Sequence, residues 1–363
     1  MDVKGVYYDY SDIRWLTRWD TTWLANIRQM RMSRFYRMER VMNYKKMSGT
    51  GIKVSEMCLG TMMFGSQTSR EDSLKIIDYA IENGINFIDT ADAYNAGESE
   101  RLVGEALEGR REDMILATKV RFKVGDEINN SGLNRRHILK QVEKSLKNLR
   151  TDYIDIYYLH AMDNDVDFEE TFDTMTTLVH SGKVRYVGIS NFPAWQVSDM
   201  LATADKRNFT KPIVTQNLYN LLNREVESEL VPCIQKHQMG MTVYNPIAGG
   251  LLTGKYDFNK LPTQGRFAEK ANYMARYWKP ENFAIIKKLE NIAESKEMSL
   301  LELSMKWCIA HPYVDSVISG VSRLEQLQQN ITTLDGKPLD NETMKKCEEI
   351  GIELLDGRTN YFK

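Results

Sequence analysis

From Met42 onward the chain alternates, eight times over, a short apolar run with a longer amphipathic one. This alternation constrains the fold more than any other feature. Runs of four to six apolar residues are too short for helices and read as strands buried on both faces. The strand candidates are 57–60, 85–89, 114–118, 154–159, 184–189, 213–216, 240–244 and 315–318. Helical periodicity falls near 70–83, 98–109, 134–149, 168–181, 193–204, 225–238, 281–310 and 323–332, with a last helix near 341–355. In the third of these, Ile138, Val142, Leu146 and Leu149 recur on one face.

Eight strand–helix units between 42 and 363 predict an α/β fold, a closed (β/α)8 TIM barrel with a long loop after the seventh strand and an extra C-terminal helix. Ahead of it, Asn43–Met47 and Ile52–Glu56 flank Ser48-Gly-Thr-Gly51, which predicts a hairpin placed to plug the barrel's amino-terminal end. A doubly wound open sheet is the alternative, but the first strand leads into Cys58-Leu-Gly-Thr-Met-Met-Phe-Gly65 and not into G-x-G-x-x-G. Residues 1–41 stand apart. They hold Trp15, Trp19 and Trp23 among scattered arginines, sustain no period, and are expected to form a poorly ordered extension to a 42–363 barrel.

The net charge of −2 in 363 residues gives no global basis for binding nucleic acid or an acidic membrane. Cys58, Cys233, Cys308 and Cys347 are far apart and form no CxxC pair, so reduced thiols in a cytoplasmic protein are expected and a metal site is not. No apolar stretch approaches the ~20 residues that cross a bilayer, and no secretory h-region is present.

Four residues carry chemistry at the ends of these strands. Asp89 follows Ile85-Asn-Phe-Ile88, Lys119 follows Met114-Ile-Leu-Ala-Thr118, and His160 follows Ile154-Asp-Ile-Tyr-Tyr-Leu159; Tyr94 lies five residues past Asp89. Barrel active sites lie at the carboxyl ends of the strands. A free tyrosine is a weak acid at neutral pH; an adjacent ammonium lowers its pKa, and a carboxylate keeps that ammonium charged and in place. Tyr94 would then be the general acid, tuned by Lys119 and Asp89, while His160 orients a carbonyl.

The stretches Gly84-Ile-Asn-Phe-Ile-Asp-Thr-Ala-Asp-Ala-Tyr94, Leu116-Ala-Thr-Lys119, Tyr153–His160, Val187-Gly-Ile-Ser-Asn191, Gln216-Asn-Leu-Tyr-Asn220, Tyr244–Lys255 and Gly320–Asn330 occur in the order found in the aldo-keto reductase superfamily. The chain resembles that superfamily from Met42 to the last helix, and its Gly-Gly-Leu-Leu-Thr-Gly-Lys run is similar to the bacterial and fungal general reductases, a branch shared with the potassium-channel β subunits. The resemblance implies an NADP-dependent oxidoreductase that reduces aldehydes and ketones with Tyr94 as acid, with NAD as a possible substitute.

It also implies the cofactor contacts. Ser190, Asn191 and Gln216 would hold the nicotinamide carboxamide, with Tyr244 stacked on the ring and Gly60, Thr61 and Met62 nearby. Asn245, Pro246, Ile247, Gly249, Gly250, Leu251, Gly254 and Lys255 would wrap the pyrophosphate. Gly320, Ser322, Arg323, Gln326, Gln329 and Asn330 would meet the adenosine, Arg323 facing a 2′-phosphate. The near P-loop at Gly249 to Lys255 continues with Tyr256 and not Ser or Thr, which excludes ATP.

Met63, Phe64, Phe122, Trp195 and Trp278 are candidates for an apolar substrate pocket, and Arg121 stands where a guanidinium meets either an acidic substrate group or solvent. The expected partner is a small carbonyl compound, with no nucleic acid or membrane, and the protein a monomer or homo-oligomer. Two alternatives stand beside the enzyme. One is a cofactor-binding regulatory subunit with little turnover, a branch that typically lacks the residue corresponding to His160. The other is a barrel hydrolase built on Asp89, Asp92 or Asp155.

Overall fold

The computed structural model describes residues 42–356. The expectation for residues 1–41 falls outside the described residues. The first element is a hairpin in which β1 (Tyr44–Lys46) pairs antiparallel with β2 (Lys53–Ser55), Tyr44 opposite Ser55. It leads directly into the first of eight parallel strands: β3 (Met57–Gly60), β4 (Phe87–Asp89), β5 (Ile115–Val120), β6 (Ile154–Leu159), β7 (Val184–Ser190), β8 (Pro212–Leu218), β9 (Gly240–Tyr244) and β10 (Ser316–Gly320). Each pairs with its neighbour in sequence, and β10 returns to β3 to close the (β/α)8 TIM barrel.

Side chains alternate across each strand. Cys58, Phe87, Ala117, Ile156, Tyr158, Val214 and Ile318 form one buried cluster inside the barrel, joined by Met47 and Val54 of the hairpin, which therefore plugs the amino-terminal end. The intervening positions, such as Ile88, Leu116, Tyr157 and Ile189, face outward and pack with Ile76, Ile138, Val142 and Phe172 of the helices.

Those helices are α1 (Arg70–Glu82), α2 (Glu98–Ala106), α3 (Arg135–Leu149), α4 (Phe168–His180), α5 (Ala194–Arg207), α6 (Leu230–Lys236), α7 (Arg266–Glu269), α8 (Ala271–Tyr277), α9 (Pro280–Ser295), α10 (Leu300–Ala310), α11 (Leu324–Thr333) and α12 (Asn341–Asp356). Local chemistry sets their starts: Ser69 accepts a hydrogen bond from the Asp72 N–H, and Asn134 accepts one from the His137 N–H. Two segments differ from their periodicity. The run 281–310 is two helices, because Glu297 turns left-handed (φ 54°) and Ser299 caps a new start by accepting from the Glu302 N–H. The run 225–238 holds only a 3₁₀ turn and then α6, because Pro232 must sit in a first turn and blocks continuation from upstream.

The segment after β9 carries a 3₁₀ turn (Ala248–Thr253) followed by α7 and α8. Phe267 and Tyr277 are fully buried there, and Trp278 stands edge-on to Tyr256, Phe267 and Phe283. Among the described residues, no helix is long and apolar enough to cross a membrane.

Candidate active site

Strand register brings the functional residues to one rim. Gly60 pairs with Asp89 and Gly320, Lys119 with Tyr158, and Ser190 with Gln216. Asp89 and Lys119 each lie two residues past an inward side chain, Phe87 and Ala117, so both point into the barrel. The Lys119 ammonium donates to Asp89 Oδ1, to the Thr90 carbonyl oxygen at 2.8 Å and to the Tyr94 hydroxyl at 3.4 Å. Gln216 Nε2 donates to the other Asp89 oxygen at 2.8 Å, which leaves that carboxylate engaged on both sides. Burial by itself would drive Lys119 toward neutrality, but Asp89 and Tyr94 outweigh it and its pKa is raised.

Tyr94 opens a 3₁₀ turn in which Asn95 and Ala96 both adopt left-handed φ, 48° and 56°. Two such residues in succession are strained, and persist where the surroundings hold them. Asn95 Nδ2 supplies the hold, donating to the carbonyls of Met62 (3.0 Å) and Phe64 (2.7 Å). His160 stands edge-on to Tyr94 with ring centres 5.8 Å apart.

Electrostatics departs from expectation at Tyr94. The residue as a whole is half-buried, yet burial pushes the phenol up, and Lys119 pulling it down does not prevail. The group is thus held as an acid in this state. Burial, seconded by Lys119 and Arg121, takes His160 well below its usual range, so the imidazole is neutral; among the described residues its Nδ1 has no hydrogen-bond partner.

Behind the site, on the outer face of β5, lie two buried carboxylates. Glu100 accepts from Thr118 Oγ1 at 2.7 Å and Asn148 Nδ2 at 3.0 Å. Among the described residues no side chain hydrogen-bonds Asp92, and burial together with Glu100 pushes its carboxyl up to about 8. Sequence reasoning gave Glu100 no role, because an acid in the first turn of a helix reads as a favourable charge at its N-terminus. Asp155 is committed elsewhere: it accepts from Arg111 Nη2 at 2.7 Å and the Leu116 N–H at 2.9 Å. Asp89, Asp92 and Asp155 are therefore not a carboxylate pair across one cleft.

The expected cofactor residues meet the structure unevenly. Ser190, Asn191 and Gln216 form one linked set: Ser190 Oγ donates to the Gln216 carbonyl (2.8 Å), and Asn191 Nδ2 to Ser190 Oγ (2.9 Å) and to the His160 carbonyl (3.2 Å). The Tyr244 hydroxyl donates to Asn191 Oδ1 at 2.8 Å, half-buried at the end of β9. Thr61 is buried, its hydroxyl donating to the Asp89 carbonyl at 3.1 Å, while Met62 is exposed.

The turn through Ile247, Gly249, Gly250, Leu251 and Gly254 is less open to a ligand than its glycines suggest. The N–H groups of Ala248, Gly250, Leu252 and Gly254 bond to carbonyls within it, and that of Gly249 to Asn245 Oδ1 at 2.6 Å. The glycines serve the turn's own positive φ angles, 70°, 100° and 75°. Pro246 is buried beneath it.

At β10, a side chain added to Gly320 would meet nothing within 4 Å, so the backbone there faces open space. Arg323 is exposed and, among the described residues, pairs with no acid. Gln326 is exposed, but its Oε1 accepts from the N–H groups of Ser322 (2.9 Å) and Arg323 (3.2 Å) and so caps α11. Asn330 is buried, donating to Ser319 Oγ at 2.9 Å, and Gln329 is exposed.

The pocket expectations also divide. Phe122 fits: it is exposed and edge-on to His160 at 4.6 Å. Met63 is nearly buried. Phe64 is fully buried in the main core and does not line a mouth, because its ring is packed among the residues between barrel and helices. Trp278 belongs to the aromatic packing within the insertion, and Trp195 is exposed at the start of α5.

A closed parallel barrel with a lysine–carboxylate pair, a tyrosine and a histidine gathered at its carboxyl rim defines the class of (β/α)8 barrel proteins whose ligand sites lie at that rim. Comparison with known proteins makes this specific. The aldo/keto reductase family matches residues 56–352, and the chain belongs to that family. Oxidoreduction of carbonyl groups is therefore its general chemistry.

Relatives include a probable voltage-gated potassium channel subunit beta of Arabidopsis thaliana, 34% identical over 82% of this chain and 93% of that protein. The aflatoxin B1 aldehyde reductase member 2 of Rattus norvegicus is 31% identical over 84% of this chain and 87% of its own length. Versiconal hemiacetal acetate reductase of Aspergillus parasiticus is 30% identical over 85% and 96%.

Proposed function

We propose that the protein is an NADPH-dependent reductase of aldehydes and ketones, with Tyr94 as general acid. The observation that carries this is the Lys119 ammonium, buried and hydrogen-bonded to both the Asp89 carboxylate and the Tyr94 hydroxyl, with neutral His160 beside that hydroxyl. A nicotinamide cofactor supplies the hydride. Tyr94 Oη gives its proton to the carbonyl oxygen as that oxygen gains charge, and Lys119 stabilises the phenolate left behind. Asp89, held by Gln216 as well, keeps the ammonium from following the phenolate. His160 donates a hydrogen bond that orients the carbonyl.

The residues present fit a dinucleotide. The Ser190 hydroxyl, the Asn191 and Gln216 amides and Tyr244 stand beside the site rim, and Gly320 and Arg323 leave an open, positively charged place at the far end. Since the glycine turn spends most of its N–H groups, the middle relies on side chains. Lys255 Nζ lies against Gly250, and Arg266 lies over Tyr273, whose ring abuts Gly249; among the described residues neither cation has an acidic partner. Arg323 favours NADPH over NADH through the 2′-phosphate.

The test is NADPH oxidation with a panel of aldehydes. Wild type should turn over, and Tyr94→Phe should lose about 10²–10⁴-fold in kcat, the usual worth of a positioned acid, while still binding NADPH. Cofactor binding with no turnover by wild type would favour the regulatory reading suggested by the channel-subunit relatives. Arg323→Ala should weaken NADPH binding and leave NADH binding nearly unchanged; equal losses would refute the 2′-phosphate role.

A further inference from the structure

Arg121 is unused by the mechanism above, and three observations set it apart. It follows β5 immediately, two residues beyond Lys119, with a φ of 155°, a conformation rare for a residue with a side chain. Strain of this kind survives where the fold over-determines it, and it concentrates at functional sites. Its own carbonyl helps to hold it, accepting from the Gly132 N–H at 2.8 Å.

The side chain is both fixed and unspent. Nε donates to the Met162 carbonyl at 3.1 Å, which sets the plane of the guanidinium and leaves its two terminal amino groups free of protein acceptors among the described residues. No acidic side chain among those residues pairs with it. An arginine held by Nε presents a flat fork of donors that matches a carboxylate in two parallel hydrogen bonds.

Its position relates it to the catalytic rim. The guanidinium lies 5.3 Å from the centre of the Phe122 ring, that ring stands edge-on to His160 at 4.6 Å, and His160 faces Tyr94. The charge thus sits across an exposed phenyl ring from the acid, with Met162 also exposed beside it. A substrate whose carbonyl lies between Tyr94 and His160 would lay its apolar middle along Phe122 and bring its far end to Arg121.

We infer that Arg121 binds a carboxylate at the end of the substrate remote from the carbonyl, so that the preferred substrates are carboxylate-bearing aldehydes and ketones. The inference rests on the reductase reading. Arg121 is a specificity-determining residue in this account and takes no part in the proton or hydride transfer.

The test compares 4-carboxybenzaldehyde with methyl 4-formylbenzoate, in which the same ring carries a neutral ester. Wild type should favour the carboxylate by about tenfold or more in kcat/KM, the worth of a charge-assisted hydrogen-bonded pair. Arg121→Met should abolish that ratio through KM for the carboxylate, and Arg121→Lys should recover part of it as a point charge without the fork. Salt gives a second readout on wild type alone: the preference should shrink between about 20 mM and about 500 mM NaCl as screening shortens. A wild-type ratio near one, a ratio unchanged in Arg121→Met, or a preference indifferent to salt would overturn the inference while leaving the reductase intact. Failure of wild type to reduce either aldehyde would remove the reductase reading, and this one with it.

Discussion

Asp92 shows how a residue two positions before Tyr94 can matter through its own desolvation. It is 2% exposed and its carboxyl is pushed up to about 8, against an ordinary value near ~3.9. Between those values the folded protein keeps a proton that the unfolded chain releases. Stability contributed at this site therefore falls as pH rises through that window, and levels off above it. Asparagine carries no such burden. Asp92→Asn should raise the melting temperature, with a gain near zero at pH 4 that grows to about 2 kcal/mol at pH 8. Thermal denaturation at the two pH values measures it, and a pH-independent difference would show that Asp92 does not titrate as described. Tyr94 teaches a related lesson: the lysine foreseen beside it is there, but only the depth of the hydroxyl shows that burial outweighs that charge.

At the scale of elements, the strands were legible to within a few residues because each is a short apolar run bounded by polar turns. Helix ends were harder. The break near Glu297 depends on one left-handed residue and one serine cap, which a continuous hydrophobic period conceals. Packing between neighbouring strands was not legible at all. Gly188 of β7 lies beside Tyr158 of β6, and a side chain there would stand 2.5 Å from the tyrosine ring inside the barrel. That interior is closely packed and has no room to move the ring aside. Gly188→Ala should cost about 1–3 kcal/mol, read as a lower melting temperature, whereas an unchanged one would mean that Tyr158 has a second place to go.

For the whole molecule, the described barrel, its hairpin plug and the site residues all lie within 42–356. A chain starting at Met42 should therefore melt and turn over as the full chain does. A lower melting temperature in calorimetry, or lost NADPH-linked activity, would show that residues 1–41 take part.

The sequence by itself determined the barrel, through the count and order of its strand–helix units, and placed Asp89, Lys119 and His160 at or just past strand ends with Tyr94 in the loop that follows. It could do so because strand and helix periods, and hence strand ends, are written along the chain. The tertiary structure alone decided which of the other residues remain free to meet a ligand. The Gln326 side-chain oxygen, Asn330 and most N–H groups of the glycine turn are occupied within the fold, Phe64 is packed away, and Arg121 keeps an unspent guanidinium at the mouth. Hydrogen-bond partners and burial are set by contacts between residues far apart in the chain, which no local pattern encodes.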